Sequence, residues 1–164
     1  MLRGDTKLPF DRIIKQLKFQ FEHEENCVGL AANQIGFSKK IIIFEVPDDA
    51  QLRKWRPSLQ DTMPETVWIN PSYQALSPEE KTLEYEGCFS VADLAGEVHR
   101  FNRIRYHAFL ESGEEVSGVA SGFLARVIQH EIDHIEGVLF LDKAEKGSLK
   151  DVEEYRKKRN KAME

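Results

Sequence analysis

An α+β domain, with antiparallel strands wrapped around one central helix, is the fold this sequence predicts. Three observations predict it: an apolar helical period near the start, several period-two stretches separated by turn residues, and a histidine-bearing helical stretch at 122–136 that follows the strands rather than alternating with them. The 164 residues suit one compact domain. No shift in composition divides them, so 1–164 reads as a single unit.

Between 9 and 25, Phe10, Ile13, Ile14, Leu17 and Phe21 recur at helical spacing among Lys, Arg, Gln and Glu, which describes an amphipathic helix covering a core. Residues 27–36 are small and poor in charge, so their backbone can lie close to another segment. Ile41-Ile42-Ile43-Phe44-Glu45-Val46 reads as a strand, and 47–65, without a sustained period, as a surface excursion. Val67-Trp68-Ile69-Asn70, residues 81–85 and residues 98–110 read as further strands, with Ser112-Gly113 a turn from which 114–119 pairs back. Ser121 is the predicted cap of the helix over 122–136 and Gly137 its stop. After the apolar Val138-Leu139-Phe140-Leu141, a charged helix over about 148–163 closes the chain.

Asp and Glu number 28 against 23 Lys and Arg, so no positive excess exists to hold a phosphate backbone, and sequence-specific nucleic acid is not an expected partner. No apolar run nears the ~20 residues of a membrane helix. The first residues lack the marks of a secretion signal or a transit peptide, so the expected compartment is the cytoplasm, with no membrane partner. There, Cys27 and Cys88 read as free thiols, ligands or nucleophiles rather than as a disulfide.

Chemistry concentrates in Gln129-His130-Glu131-Ile132-Asp133-His134. On a helix, His130 and His134 lie on one face a turn apart and can reach one tetrahedral metal, with Glu131 beside them within reach of a water on that metal. The same spacing also arises by chance on exposed helices, so a third ligand matters. Cys88 is one candidate, in Glu86-Gly87-Cys88-Phe89-Ser90, where Gly87 leaves room for a thiolate to approach. Glu154 is the other, at the separation from His134 found in zinc endopeptidases, but it sits among mixed charges like those of a solvated helix face. A thiolate with two imidazoles suits Zn, Fe(II), Ni or Co. Phe123 and Val127 share the helix face of His130 and are candidates either for an apolar pocket or for plain core, while Arg126 is expected to face solvent.

Three segments together resemble the peptide deformylases. Gly29-Leu30-Ala31-Ala32-Asn33-Gln34-Ile35-Gly36 matches their first motif, Glu86-Gly87-Cys88-Phe89-Ser90 their second and Gln129-His130-Glu131-Ile132-Asp133-His134 their third, in the family's order and spacing, over roughly 8–145. The resemblance implies that the central helix is a metal-binding one. A single divalent ion would be held by Cys88, His130 and His134, with water in the fourth place, Fe(II) as the usual metal, and Zn, Ni or Co also accepted. It implies Glu131 as general base and acid, and the Gln34 amide with the Phe89 backbone N–H as the oxyanion site. The implied reaction removes the N-formyl group of an N-formyl-methionyl peptide in protein biosynthesis and releases formate. That peptide would lie as an added strand along the unobstructed backbone of Val28, Gly29 and Gly87, with Phe123 and Val127 lining the methionine pocket.

Two alternatives carry different chemistry: a zinc endopeptidase using Glu154 in place of Cys88, and a catalytically impaired binder of protein N-termini. Gln34 and Glu131 argue against the second, because loss of catalysis would relax both. Cys27 stands where most members have Gly, so a φ above zero there would be strained. Val91-Ala92 after Ser90 resembles the deformylases of mitochondria and their bacterial relatives. Arg156, Lys157, Lys158, Arg159 and Lys161 form either a transient ribosome contact or a solvated face.

Overall fold

Strand β2 (Ile41–Val46) buries Ile41, Ile42, Ile43 and Phe44 completely, as a strand does when both faces of its sheet are covered. The computed structural model describes residues 7–24, 27–88 and 91–151, the side chains of 7–9, 88, 91–94 and 141 excepted. Alternate residues of β2 feed two cores. Ile41 and Ile43 join Ile13, Ile14, Leu17 and Phe21 of α1 (Lys7–His23), while Ile42, Phe44 and Val46 join Phe123, Leu124, Val127 and Ile128 of α3 (Gly122–Ile135). The sheet thus lies between the two helices.

The path of the sheet is β1-β2-β3-β4-β5, antiparallel throughout: β1 (Gly29–Ala31), β2, β3 (Met63–Cys88), β4 (Val91–Phe109) and β5 (Glu115–Ser121), with β6 (Lys150–Asp151) paired to β4. This is the α+β antiparallel architecture expected, with α1 packed outside. Several boundaries differ. The two strands expected at 67–70 and 81–85 are one strand, β3, because the residues before Pro71 and Pro78 take positive φ (Asn70 48°, Ser77 51°) and the register shifts are absorbed as irregularities rather than ends. Strand β4 begins at Val91 rather than 98, paired to β3. The excursion at 47–65 holds a short helix, α2 (Ala50–Trp55), whose Leu52 N–H donates to the Asp49 carboxylate at 2.9 Å. Residues 140–143 form the short α4 (Phe140–Lys143). The charged helix expected from 148 does not begin there: Lys150 and Asp151 are extended and pair with Ala95 and Leu94. The remainder of that stretch lies outside the described residues.

The end of the excursion holds the start of α3. Ser121 occupies the cap position, yet its hydroxyl makes no capping bond. Instead, Asp61 Oδ2 accepts the Ser121 N–H at 2.8 Å and the Ser58 carbonyl accepts the Phe123 N–H at 3.0 Å, satisfying donors that a helix start leaves over. Gly122 lies between them at φ +65°, and a Cβ there would stand 2.0 Å from the Ser58 carbonyl oxygen. Gly122→Ala is therefore expected to cost about 2 kcal/mol or more, read as a lowered denaturation midpoint. Further along α3, the buried Gln129 amide binds the main chain of β4 in both directions, accepting the Phe101 N–H at 3.0 Å and donating to its carbonyl at 2.9 Å.

Candidate active site

Helix α3 presents His130 and His134 one turn apart, His134 buried and His130 half-buried, with Glu131 buried beside them. Asn33, in the 3-10 turn η1 (Ala32–Ile35), donates its Nδ2 to the His134 carbonyl at 2.8 Å. Its Oδ1 therefore faces the ring and accepts the Nδ1–H at 3.1 Å, which leaves the lone pair of His134 on Nε2. That Nε2 is buried and makes no hydrogen bond. A buried lone pair without a donor is costly, and a cation satisfies it. His130 is set the same way: its Nδ1–H donates to Glu86 Oε1 at 2.7 Å, which puts its lone pair on Nε2. Both rings thus suit a divalent ion. Among the described residues no three His, Cys, Asp or Glu side chains form a group that would hold one. The Cys88 side chain lies outside them, but its backbone ends β3 two residues after Glu86, the residue bonded to His130.

Glu86 is the centre of a buried charge cluster. Arg100 grips it with two bonds, Nε to Oε2 at 2.9 Å and Nη2 to Oε1 at 2.8 Å, and Arg126 Nη1 adds a third at 2.5 Å. Burial alone would raise the Glu86 pKa, but the bonds and charges of Arg100 and His130 outweigh it and hold the carboxyl well below the usual range. Arg100 also reaches Asp133 Oδ2 at 2.6 Å. Burial works against its charge too, and the two carboxylates overcome that, pushing its pKa up. Burial lowers that of Arg126, with Glu86 and Glu84 opposing. Arg126 does not face solvent as expected: it is 3% exposed and also donates to the Val98 and Thr82 carbonyls. The reason is that the sheet wraps α3 on the side where a lone helix would meet water, and a buried acid waits there.

Glu131 lies directly over Gly29 of β1. A Cβ on Gly29 would come within 2.5 Å of Glu131 Oε2 and 2.8 Å of its Cγ, so only glycine lets the carboxylate occupy this place. Since the obstacle is a side chain and not backbone, Gly29→Ala is expected to fold while displacing Glu131. A fall in kcat of about 10²-fold with a nearly unchanged unfolding midpoint is the expected outcome, measured by steady-state kinetics beside thermal denaturation.

The other expected residues fall as follows. Gln34 accepts the Ala31 N–H at 2.7 Å and borders an open groove of about 760 Å³ between α1 and η1, lined by Lys15, Gln16, Phe19 and Gln20. Phe123 and Val127 are buried in the core shared with β2, the Arg56 guanidinium lying 5.0 Å above the Phe123 ring. Val28 packs at the edge of that core, and Gly87 pairs with Ala95 in the β3–β4 ladder. Cys27 does not take the positive φ considered for it; its thiol donates to the Gly29 carbonyl at 3.1 Å, beside the α1 core. Phe89, Glu154 and the basic stretch Arg156, Lys157, Lys158, Arg159 and Lys161 lie outside the described residues. Sequence reasoning missed Asn33, Glu86, Arg100 and Asp133 as partners of the histidine helix. The usable signal was position: Asn33, Glu86 and Asp133 sit inside the three motifs, and each imidazole needs an acceptor for its second nitrogen.

Two imidazoles whose Nδ1 atoms face acceptors, a carboxylate on the turn between them and a buried acid behind one ring resemble the side-chain set that metal-dependent hydrolases use. Comparison with known proteins narrows the class. Residues 5–150 match the family model described as polypeptide deformylase. Peptide deformylase 2 of Rickettsia conorii is 54% identical over 153 residues, covering 93% of this chain and 75% of that protein. The mitochondrial peptide deformylase of Homo sapiens is 35% identical over 144 residues, covering 85% and 58%. Among solved structures, a peptide deformylase from Ehrlichia chaffeensis aligns with a TM-score of 0.74 at 30% identity, covering 87% of this chain and 78% of that one. A Met-Ala-Ser-bound class I type b peptide deformylase from Acinetobacter baumannii gives 0.71 at 32% identity, covering 82% and 80%. The chain belongs to the peptide deformylase family. The higher identity is to the bacterial relative, so these similarities do not single out the mitochondrial type suggested by Val91-Ala92.

Proposed function

We propose that this chain removes the N-formyl group from N-formyl-methionyl peptides and releases formate, the family activity. The observation that supports it most is the orphaned, buried Nε2 of His134, aimed by Asn33 and matched by the Glu86-held ring of His130. Cys88, His130 and His134 would hold one divalent ion, Fe(II) in the cell, which supplies Lewis-acid activation of water for attack on the formyl carbon.

Glu131 acts as the general base, taking the proton of the attacking water on its carboxylate, and then delivers it to the departing amine nitrogen. Its burial against Gly29 keeps bulk water from competing for that proton. Gln34 accepts the Ala31 N–H through its Oε1, which orients the amide, and its NH₂ with the Phe89 backbone N–H would be the donors to the developing oxyanion. Among the described residues β1 pairs only with β2, so its other edge at Gly29, next to Val28 whose carbonyl is taken by the Glu45 N–H of β2, is where an extended peptide would add as a strand, with Gly87 on the far side. Phe123 and Val127, packed in the core shared with β2, are the candidates for the apolar wall of a methionine pocket, and Arg156, Lys157, Lys158, Arg159 and Lys161 are the candidates for a transient ribosome contact. No helix among the described residues is long and apolar enough to cross a membrane.

Formate release from formyl-Met-Ala-Ser, with Fe(II)- or Ni-loaded protein prepared without oxygen, tests the proposal. Turnover is expected; full metal occupancy without turnover overturns it.

A further inference from the structure

The acid cluster does not stop at Glu86. Asp133, one residue before the ligand His134, collects three donors: Arg100 Nη1 on Oδ2 at 2.6 Å, Lys143 Nζ on the same oxygen at 2.7 Å, and Tyr73 OH on Oδ1 at 2.8 Å. Arg100 is shared between Asp133 and Glu86, and Glu86 holds the Nδ1–H of His130. Lys143 comes from α4, the short turn that leaves the histidine helix, and Tyr73 from β3. Lys143 is well exposed at its side chain, 39%, whereas Asp133 is 11%, so an ordinary solvated lysine reaches inward to a largely buried carboxylate.

We infer that Lys143 is a positioning residue for the metal ligand His130, acting through Asp133, Arg100 and Glu86, with Tyr73 holding the opposite oxygen of Asp133. This rests on the metal site proposed above. The physical reason is that Arg100 serves two acids at once. With Lys143 and Tyr73 in place, Asp133 is fixed in one rotamer and half-neutralised, so the guanidinium stays where its Nε and Nη2 meet both oxygens of Glu86. Without Lys143, Asp133 is freer to turn and draws the guanidinium toward itself, and the acceptor that orients the His130 ring loosens. Partners of this kind alter metal affinity by about 10–100-fold when removed.

Co(II) titration of the full chain under a competing chelator, followed by its visible absorption, tests the inference. Lys143→Met is expected to weaken Co(II) binding about tenfold and to shift the ligand-field bands, and Lys143→Arg to restore both, since a guanidinium still reaches Oδ2. Tyr73→Phe, which removes one oxygen, is expected to shift both readings in the same direction by a smaller amount and serves as the test if Lys143→Met does not fold. Affinity within twofold of the unmodified chain with unchanged bands in Lys143→Met, or in Tyr73→Phe where that is the variant used, overturns the inference, as does a Lys143→Arg protein as impaired as Lys143→Met. If the unmodified chain itself takes up no Co(II), the metal-site reading falls, and this inference with it.

Discussion

Glu131→Ala is expected to lower formate release about 10³-fold while leaving the bound metal in place. General acid and base work by a placed side chain contributes about 10²–10⁴-fold, and here one carboxylate serves both the water and the leaving amine. Glu131→Gln keeps size and polarity but accepts no proton, so it should be nearly as slow. Metal content measured alongside kcat separates this from loss of the site, because Glu131 is not in the proposed ligand set. More than a tenth of the original kcat in Glu131→Gln would remove the carboxylate from the proton path and the proposed mechanism with it.

The second large effect is expected at Glu86. Its two oxygens are the shared counterions of Arg100 and Arg126, both 3% exposed, and the acceptor for His130. Glu86→Ala leaves two buried guanidinium groups without their common partner, and breaking a buried pair from one side costs about 3–5 kcal/mol. Denaturant unfolding should show this as a lower midpoint at unchanged slope, together with weakened metal binding. The same group sets an acid limb. Its folded pKa is depressed below the ordinary 4.5, so its stabilisation is complete above that value and is lost progressively as pH falls below it, where the unfolded chain takes up the proton first. Any Glu86→Gln protein that folds should lose part of that slope in an acid titration followed by circular dichroism, and an unchanged limb would show that Glu86 does not set it.

Much of the fold was legible because local signals and tertiary packing agreed. The Ile41–Val46 strand, the helix ending before Gly137 and the amphipathic first helix stand where periodicity placed them. The failures share a cause. Residues 67–70 and 81–85 read as separate strands, yet a long paired ladder carries the chain past Pro71 and Pro78 as one. Arg126 looks like a solvent residue on a helical wheel, and a wheel cannot show that a sheet encloses the helix and sets Glu86 against it. At the site, the two imidazoles and Glu131 follow from i, i+4 spacing alone. Asn33 and Glu86 do not, because partners from 101 and 44 positions away are brought in by topology rather than pattern.

The anchorage of the histidine helix at Ser58 has a consequence for how this chain tolerates change. The acceptor for the Phe123 amide is a carbonyl, which every residue type possesses, and the space that makes room for it belongs to Gly122. At position 58 itself the bond is therefore indifferent to the side chain, whereas Asp61, whose carboxylate takes the Ser121 N–H, is not interchangeable. The veto sits on the far side of the bond, with one glycine answering for the freedom of position 58.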